Sequence, residues 1–121
     1  MNRTILMVDD SFSIRESVGF FLLEAGFNVI KAGDGIEALT YFDGQKIDLL
    51  LTDLHMPNMN GIELIKKVRS LDNYKRLPIL LLTTETLKNK KLEAKNAGAT
   101  GWLNKPFDKD KLFNVINKVI R

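Results

Sequence analysis

The stretch Leu49-Leu50-Leu51-Thr52-Asp53-Leu54-His55-Met56-Pro57 decides how this chain is read. An apolar run ends abruptly in a carboxylate, and Pro57 and Gly61 then turn the chain. A short apolar run bounded by turn residues reads as a buried strand. A buried strand that delivers one acid to its end presents that acid at a surface. Asp53 is therefore expected to be a nucleophile that accepts a phosphoryl group. That expectation depends on what else arrives beside it.

Asp48 precedes this strand, and Ile62, Ile65, Val68 and Leu71 beyond it recur at helical spacing. Pro78 opens a second apolar run, Ile79-Leu80-Leu81-Leu82, which ends in Thr83-Thr84. Ile5-Leu6-Met7-Val8 is a third, bounded by Asp9-Asp10-Ser11. Phe27-Asn28-Val29-Ile30 and Gly101-Trp102-Leu103-Asn104 read as strands of more mixed polarity. Ser13 with Glu16 fits a capping box for the first helix, and Ser11 is an equal alternative. Ile14, Val18, Phe21, Leu22 and Ala25 then face inward until Gly26 stops the helix. Asp34 caps a second helix with Glu37 three residues on, and Ile36, Leu39 and Phe42 share a face. A fourth helix covers about 87–97 and ends at Gly98. The last runs from Lys109 with Leu112, Phe113, Ile116, Val119 and Ile120 inward.

Five strands alternating with five helices call for a parallel sheet covered on both faces. The three wholly apolar strands belong at its centre and the two mixed ones at its edges. The resulting order 2-1-3-4-5 is a known doubly wound pattern. The expected fold class is α/β, a flavodoxin-like (βα)5 sandwich forming one domain over 1–121. The fourth helix stands apart. Only Leu87, Leu92, Ala94 and Ala97 are apolar there, among Lys88, Lys90, Lys91 and Lys95. A helix with so little to bury is weakly held, so it is expected to be the element that moves. The plainer expectation is a merely exposed helix.

The bulk numbers bound the function. At 121 residues, with 45% hydrophobic and 27% charged residues, the chain has enough material for one core. The first residues run straight into a strand and do not form a leader. No apolar run approaches the length of about 18 that spans a membrane. Cysteine is absent, which excludes disulfides and thiol chemistry and suits a cytoplasmic location. The net charge of +3 is unevenly spread: 7 Lys+Arg against 11 Asp+Glu up to Asn73, then 11 against 4. Two solvated surfaces would explain this. The sharper reading is a cation-binding acidic end and a basic face for an acidic partner. Nucleic acid is not expected, since no helix-turn-helix or aromatic-basic stretch occurs.

Parallel strands share one carboxyl end, where sites form. Asp9 and Asp10, Asp53, Thr83 and Lys105 all fall there. Each alone has a bland explanation: a cap, a β-branched filler, a surface lysine. Together they do not. Three close carboxylates repel unless a cation sits among them. Hard oxygens with a lone histidine favour Mg²⁺, or Mn²⁺, over zinc. Asp10 and Asp53 are assigned as direct ligands, Asp9 through water, and the backbone carbonyl of His55 as a further ligand. Carboxylates do attack phosphorus to give acyl phosphates. Lys105 suits a phosphoryl oxygen, with Pro106 holding it through a cis bond, and Thr83 can donate to the phosphoryl group.

Val8-Asp9-Asp10-Ser11, Asp53 with Met56-Pro57 and Gly61, Thr83, and Lys105-Pro106-Phe107 together resemble the receiver domains of two-component response regulators, end to end. The resemblance implies Mg²⁺-dependent transfer from a kinase phosphohistidine to Asp53. It also implies movement of Thr83 and an inward turn of a β5 aromatic, here Trp102. Trp102 stands where Tyr or Phe is usual, and Thr84, where Ala is common, is expected to crowd the same path. The plainer expectation for Trp102 is a static edge-strand aromatic. His55 and Glu85 occupy positions that tune the lifetime of the phosphoryl group in the family. For His55 the plainer expectation is an idle, exposed side chain.

Thr83-Thr84-Glu85 and Gly98-Ala99-Thr100-Gly101-Trp102 are similar to the chemotaxis receivers. That similarity implies a CheA-like histidine kinase, the flagellar motor switch protein FliM and a phosphatase as partners of a monomer. The alternative is a single-domain phosphorelay intermediate or adaptor. A haloacid dehalogenase-like phosphatase needs a second acid two residues after its nucleophile, where this chain has His55. A flavodoxin would carry a hydroxyl-rich loop after the first strand, where Asp9-Asp10 would repel the flavin phosphate.

Overall fold

The computed structural model describes residues 2–120. Its elements are β1 (Thr4–Val8), α1 (Phe12–Glu24), β2 (Asn28–Ala32), α2 (Gly35–Leu39), β3 (Leu49–Thr52), α3 (Gly61–Arg69), β4 (Ile79–Thr83), α4 (Lys88–Ala97), β5 (Gly101–Asn104) and α5 (Lys109–Val119), with a 3₁₀ turn at Asp72–Tyr74. The sheet is parallel, in the expected order β2-β1-β3-β4-β5.

Alternation along the central strands builds two cores. Leu6, Val8, Leu50, Ile79 and Leu81 face one way, where α2, α3 and α4 cover them. Ile5, Met7, Leu49, Leu51, Leu80 and Leu82 face the other way, under Val18 and Leu22 of α1 and Leu112 and Ile116 of α5. Both faces being covered, the central strands can be apolar at every position.

The edges carry the polarity, and there the observed bounds depart from the sequence. β2 runs two residues past Ile30 because Lys31 can lie along the edge. Its stem passes over Gly19, where a Cβ would meet it at 2.7 Å, and its Nζ reaches Glu16 at 2.8 Å. Glu16 is thereby taken from any capping box. Ser11, not Ser13, caps α1, accepting from the Ile14 N–H at 3.3 Å. Ala25 lies past the helix and is exposed.

Two further inward assignments fail, at Ile36 and at Leu71. α2 ends at Leu39, so Phe42 is buried from the following turn, while Ile36 is 53% exposed and Ala38 takes the inward place. Likewise α3 ends at Arg69, and Leu71 lies outside it, exposed. Helical spacing continued past the end of α3 misplaces Leu71, whereas in α2 the inward place falls to Ala38 and not to Ile36. Leu87 and Leu92 of the fourth helical segment are also exposed, which leaves Ala94 as the one buried residue of α4.

Candidate functional site

The site lies at the carboxyl ends of β1, β3, β4 and β5. Asp53 follows the last residue of β3, and its N–H bonds to the Val8 carbonyl at 2.9 Å, which fixes it beside the end of β1. After it the chain must turn sharply. Asn58 takes a left-handed φ of 68°, and the Gly61 N–H returns to the Leu54 carbonyl at 2.8 Å. A side chain at Gly61 would strike the Asp53 carbonyl, so this position needs glycine. Asn60 and Glu63 then form a reciprocal capping box that starts α3.

Asp9, Asp10 and Asp53 bring carboxylate oxygens within 4.8 Å of one another. Asp9 is fully buried. One of its oxygens meets Lys105 Nζ at 2.7 Å, and the other accepts the Ser11 N–H at 2.9 Å. Asp53 keeps one oxygen on its neighbour's N–H (Leu54, 2.7 Å) and points the other at Lys105, 3.4 Å away. Asp10 is exposed at the mouth. Asp9 is thus engaged through both oxygens, whereas Asp10 is open to solvent.

Burial pushes the Asp53 carboxyl above its usual range. Lys105 opposes that shift, the Asp9 charge adds to it, and the Leu54 N–H opposes it. Desolvation is the leading cause, and a divalent cation among the three carboxylates would favour their charged forms, so the donor set suits one. Lys105 is held in place by the β5 register: its N–H bonds to the Thr83 carbonyl at 2.8 Å, and its bond to Pro106 is cis.

Thr83 is fully buried, and its hydroxyl accepts the Glu85 N–H at 3.1 Å. That bond leaves the hydroxyl proton free to be donated. Glu85 is the hub of the β4–α4 loop. Its Oε1 lies 3.2 Å from His55 Nε2, and its Oε2 accepts from the N–H groups of Thr86 and Leu87. These hydrogen bonds, the one from Leu87 first, hold the Glu85 carboxyl below its usual range. His55 is therefore not idle: it links the loops after β3 and β4.

Trp102 and Thr84 do not share a path. Trp102 packs on the α2–α3–α4 core with Lys91 Nζ 5.6 Å from its ring centroid. Thr84 is exposed on the opposite side, facing Ser13, Ile14 and Phe107 across an apolar cleft. Successive residues of a strand and its extension point to opposite faces, which separates them. The indole N–H of Trp102 is buried and has no partner among the described residues.

The sequence reading missed two supporting residues. Arg15 donates to the Asp9 carbonyl at 2.6 Å, and Asn104 donates to the Glu85 carbonyl at 2.9 Å. Asn104 stands beside Lys105 at a strand end, and that position was the available signal. Arg15 gave none, because it reaches back across a helical turn.

Among the described residues no helix is long and apolar enough to cross a membrane. The chemotaxis protein CheY-3 of Vibrio cholerae is 37% identical over 119 residues, covering 98% of this chain and 92% of that protein. The probable transcriptional regulator ycf29 of Porphyra purpurea is 31% identical over 120 residues, covering 99% of this chain and 57% of that protein, so the chain spans little more than half of such relatives. Chemotaxis protein CheY4 of Vibrio cholerae superposes with a TM-score of 0.95 at 45% identity, over 98% of this chain and 99% of that one. The receiver domain of a Pseudomonas aeruginosa sensor histidine kinase (TM-score 0.90, 27% identity, 98% of each chain) holds a magnesium ion coordinated in its active-site cleft. The description "Response regulator receiver domain" matches residues 5–117. With its acid cluster, lysine and buried threonine at adjoining strand ends, the chain belongs to the response regulator receiver family of two-component systems.

Proposed function

We propose that the chain is a single receiver domain in which Asp53 accepts a phosphoryl group from the phosphohistidine of a histidine kinase. The observation that carries the reading is Lys105 Nζ standing between Asp9 at 2.7 Å and Asp53 at 3.4 Å. An Asp53 carboxylate oxygen attacks phosphorus as the bond from phosphorus to the imidazole nitrogen breaks, giving an acyl phosphate and a free histidine on the kinase. Lys105 can follow the arriving phosphoryl oxygens because it already reaches both acids. Thr83 donates its free hydroxyl proton to a phosphoryl oxygen while still accepting from Glu85. Asp10, Asp53 and the His55 carbonyl would hold Mg²⁺, with Mn²⁺ as substitute and Asp9 acting through water, and the ion would supply charge neutralisation to the transferring group.

His55 and Glu85, which meet at 3.2 Å across the loops after β3 and β4, tune how fast water removes the phosphoryl group. The response passes from Thr83 through Glu85 to α4 and the α4-β5-α5 face. The helices of that face bring Lys88, Lys90, Lys91, Lys95 and Lys111, which suit an acidic segment, while Lys109 turns to Phe21 of α1. The chemotaxis relatives favour a CheA-like kinase as donor and the flagellar motor switch protein FliM as target, for a cytoplasmic monomer cleared with the help of a phosphatase.

Phosphotransfer profiling against the organism's histidine kinases tests the chemistry, with Asp53→Asn as the unlabelled control. Preferential labelling by a kinase unconnected with motility would overturn the chemotaxis reading. A motor-switch peptide that binds more tightly with beryllofluoride supports it. Failure to bind in either state points to a phosphorelay intermediate.

A further inference from the structure

The two ends of α4 are held in unequal ways. The helix buries Ala94 alone, so packing gives it little purchase. At its start Leu87 provides no side-chain cap, and the Thr86 and Leu87 N–H groups rest on the Glu85 carboxylate at 3.1 and 3.3 Å. That carboxylate belongs to the loop that responds to Thr83. At its end Gly98 takes a left-handed φ of 116°, and the Gly98 and Ala99 N–H groups close onto Ala94 and Lys95.

One guanidinium then grips this end. Arg69, the last residue of α3, donates Nε at 3.1 Å and Nη2 at 2.7 Å to the Gly98 carbonyl. Its Nη1 donates to the Tyr74 carbonyl at 3.0 Å and the Lys75 carbonyl at 3.2 Å. Among the described residues it has no carboxylate partner. A planar fork with five donors can join three chain segments in this way, and an ammonium cannot.

The far side of the grip is itself anchored. The Tyr74 ring is buried against Phe42, and its hydroxyl donates to the Gln45 carbonyl at 2.7 Å and accepts from Gly44. A Cβ at Gly98 would meet Arg69 atoms at 2.8 and 2.9 Å, so the fit is close.

We propose that Arg69 is the pivot of α4: it fixes the C-terminal end of the helix to α3 and the Tyr74 turn, and the N-terminal end swings about it. The inference rests on the phosphoacceptor reading for what drives the swing, but not for the existence of the clamp. The helix has 10 residues. At the standard rise it is about 15 Å long, so a turn of about 10° carries the free end about 2.5 Å. That is enough to exchange hydrogen-bond partners at Glu85 while leaving Gly98 in place.

Residue-resolved hydrogen exchange on the full chain tests the pivot, with and without Mg²⁺ and beryllofluoride. In the parent protein the amides of Gly98 and Ala99 should exchange at least about 10-fold more slowly than those of Lys91 and Leu92. Beryllofluoride should alter the second pair and leave the first unchanged. Arg69→Lys and Arg69→Gln should close the gap while beryllofluoride still binds Asp53, as read by its fluorine resonance. A flat profile along α4 in the parent, or a gap that survives Arg69→Gln, would overturn the pivot. So would equal beryllofluoride effects at both ends. Should beryllofluoride not bind the parent, the phosphoacceptor reading falls, and the resting gap with its response to Arg69→Lys still decides the pivot. The parent profile also decides it if a variant does not fold.

Discussion

Asp53 pays for its position with a shifted equilibrium. Its folded-state carboxyl lies above the unfolded value, so in that window the folded protein holds more protons than the unfolded chain. Stability is therefore lost as pH rises from about 4 through the folded pKa. Asp53→Asn cannot ionise and should escape this loss. In metal-free buffer the variant should be the more stable protein at pH 7 and no more stable at pH 4, as measured by urea unfolding. Equal differences at both values would remove the electrostatic account. Trp102→Phe removes a buried donor without a partner. Leaving such a group unsatisfied costs about 1–3 kcal/mol, so the variant should match the parent within about 1 kcal/mol despite its smaller ring. A loss above about 2 kcal/mol would show that the indole N–H is satisfied. Single residues were also where the sequence was hardest to read. Asp9, Asp10, Asp53, Thr83 and Lys105 could be brought together in the sequence because each stands at the carboxyl end of a strand. Arg69 was not, since its partners are three backbone carbonyls, reached by four hydrogen bonds, on segments that helical or strand spacing does not relate to it.

At the scale of elements, the three central strands were legible because burial on both faces demands unbroken apolar runs. Helix ends were less so, since caps compete. Ser11→Ala should cost about 1 kcal/mol of stability and Ser13→Ala close to nothing, by chemical denaturation. A larger loss at Ser13 would return the cap to it. The contrast between α4 and α5 is sharper. Ile116 is fully buried and Leu92 is 58% exposed. Ile116→Ala should cost about 2–5 kcal/mol, and Leu92→Ala no more than about 0.5 kcal/mol. Comparable losses would mean that α4 packs as firmly as α5. The weakness of α4 was visible in its lysine-rich composition, whereas the unequal fastening of its two ends was not.

Across the whole molecule the chemistry gathers at one end of the sheet, and cation binding there should act on global stability. Mg²⁺ binding only the folded state adds about 2.7 kcal/mol at 100 times its dissociation constant. The melting temperature should therefore rise with Mg²⁺ in the parent, and the rise should disappear in Asp10→Asn/Asp53→Asn. An undiminished rise in that double variant would place the cation elsewhere. The resting contacts of Lys105 have a further consequence. Its ammonium already answers two carboxylates, at 2.7 and 3.4 Å. An anion that enters the cleft must compete with both. On the proposed chemistry, a phosphoryl group fixed to Asp53 meets Lys105 without the translational entropy that a dissolved anion loses, so the site favours a covalent ligand over a free one.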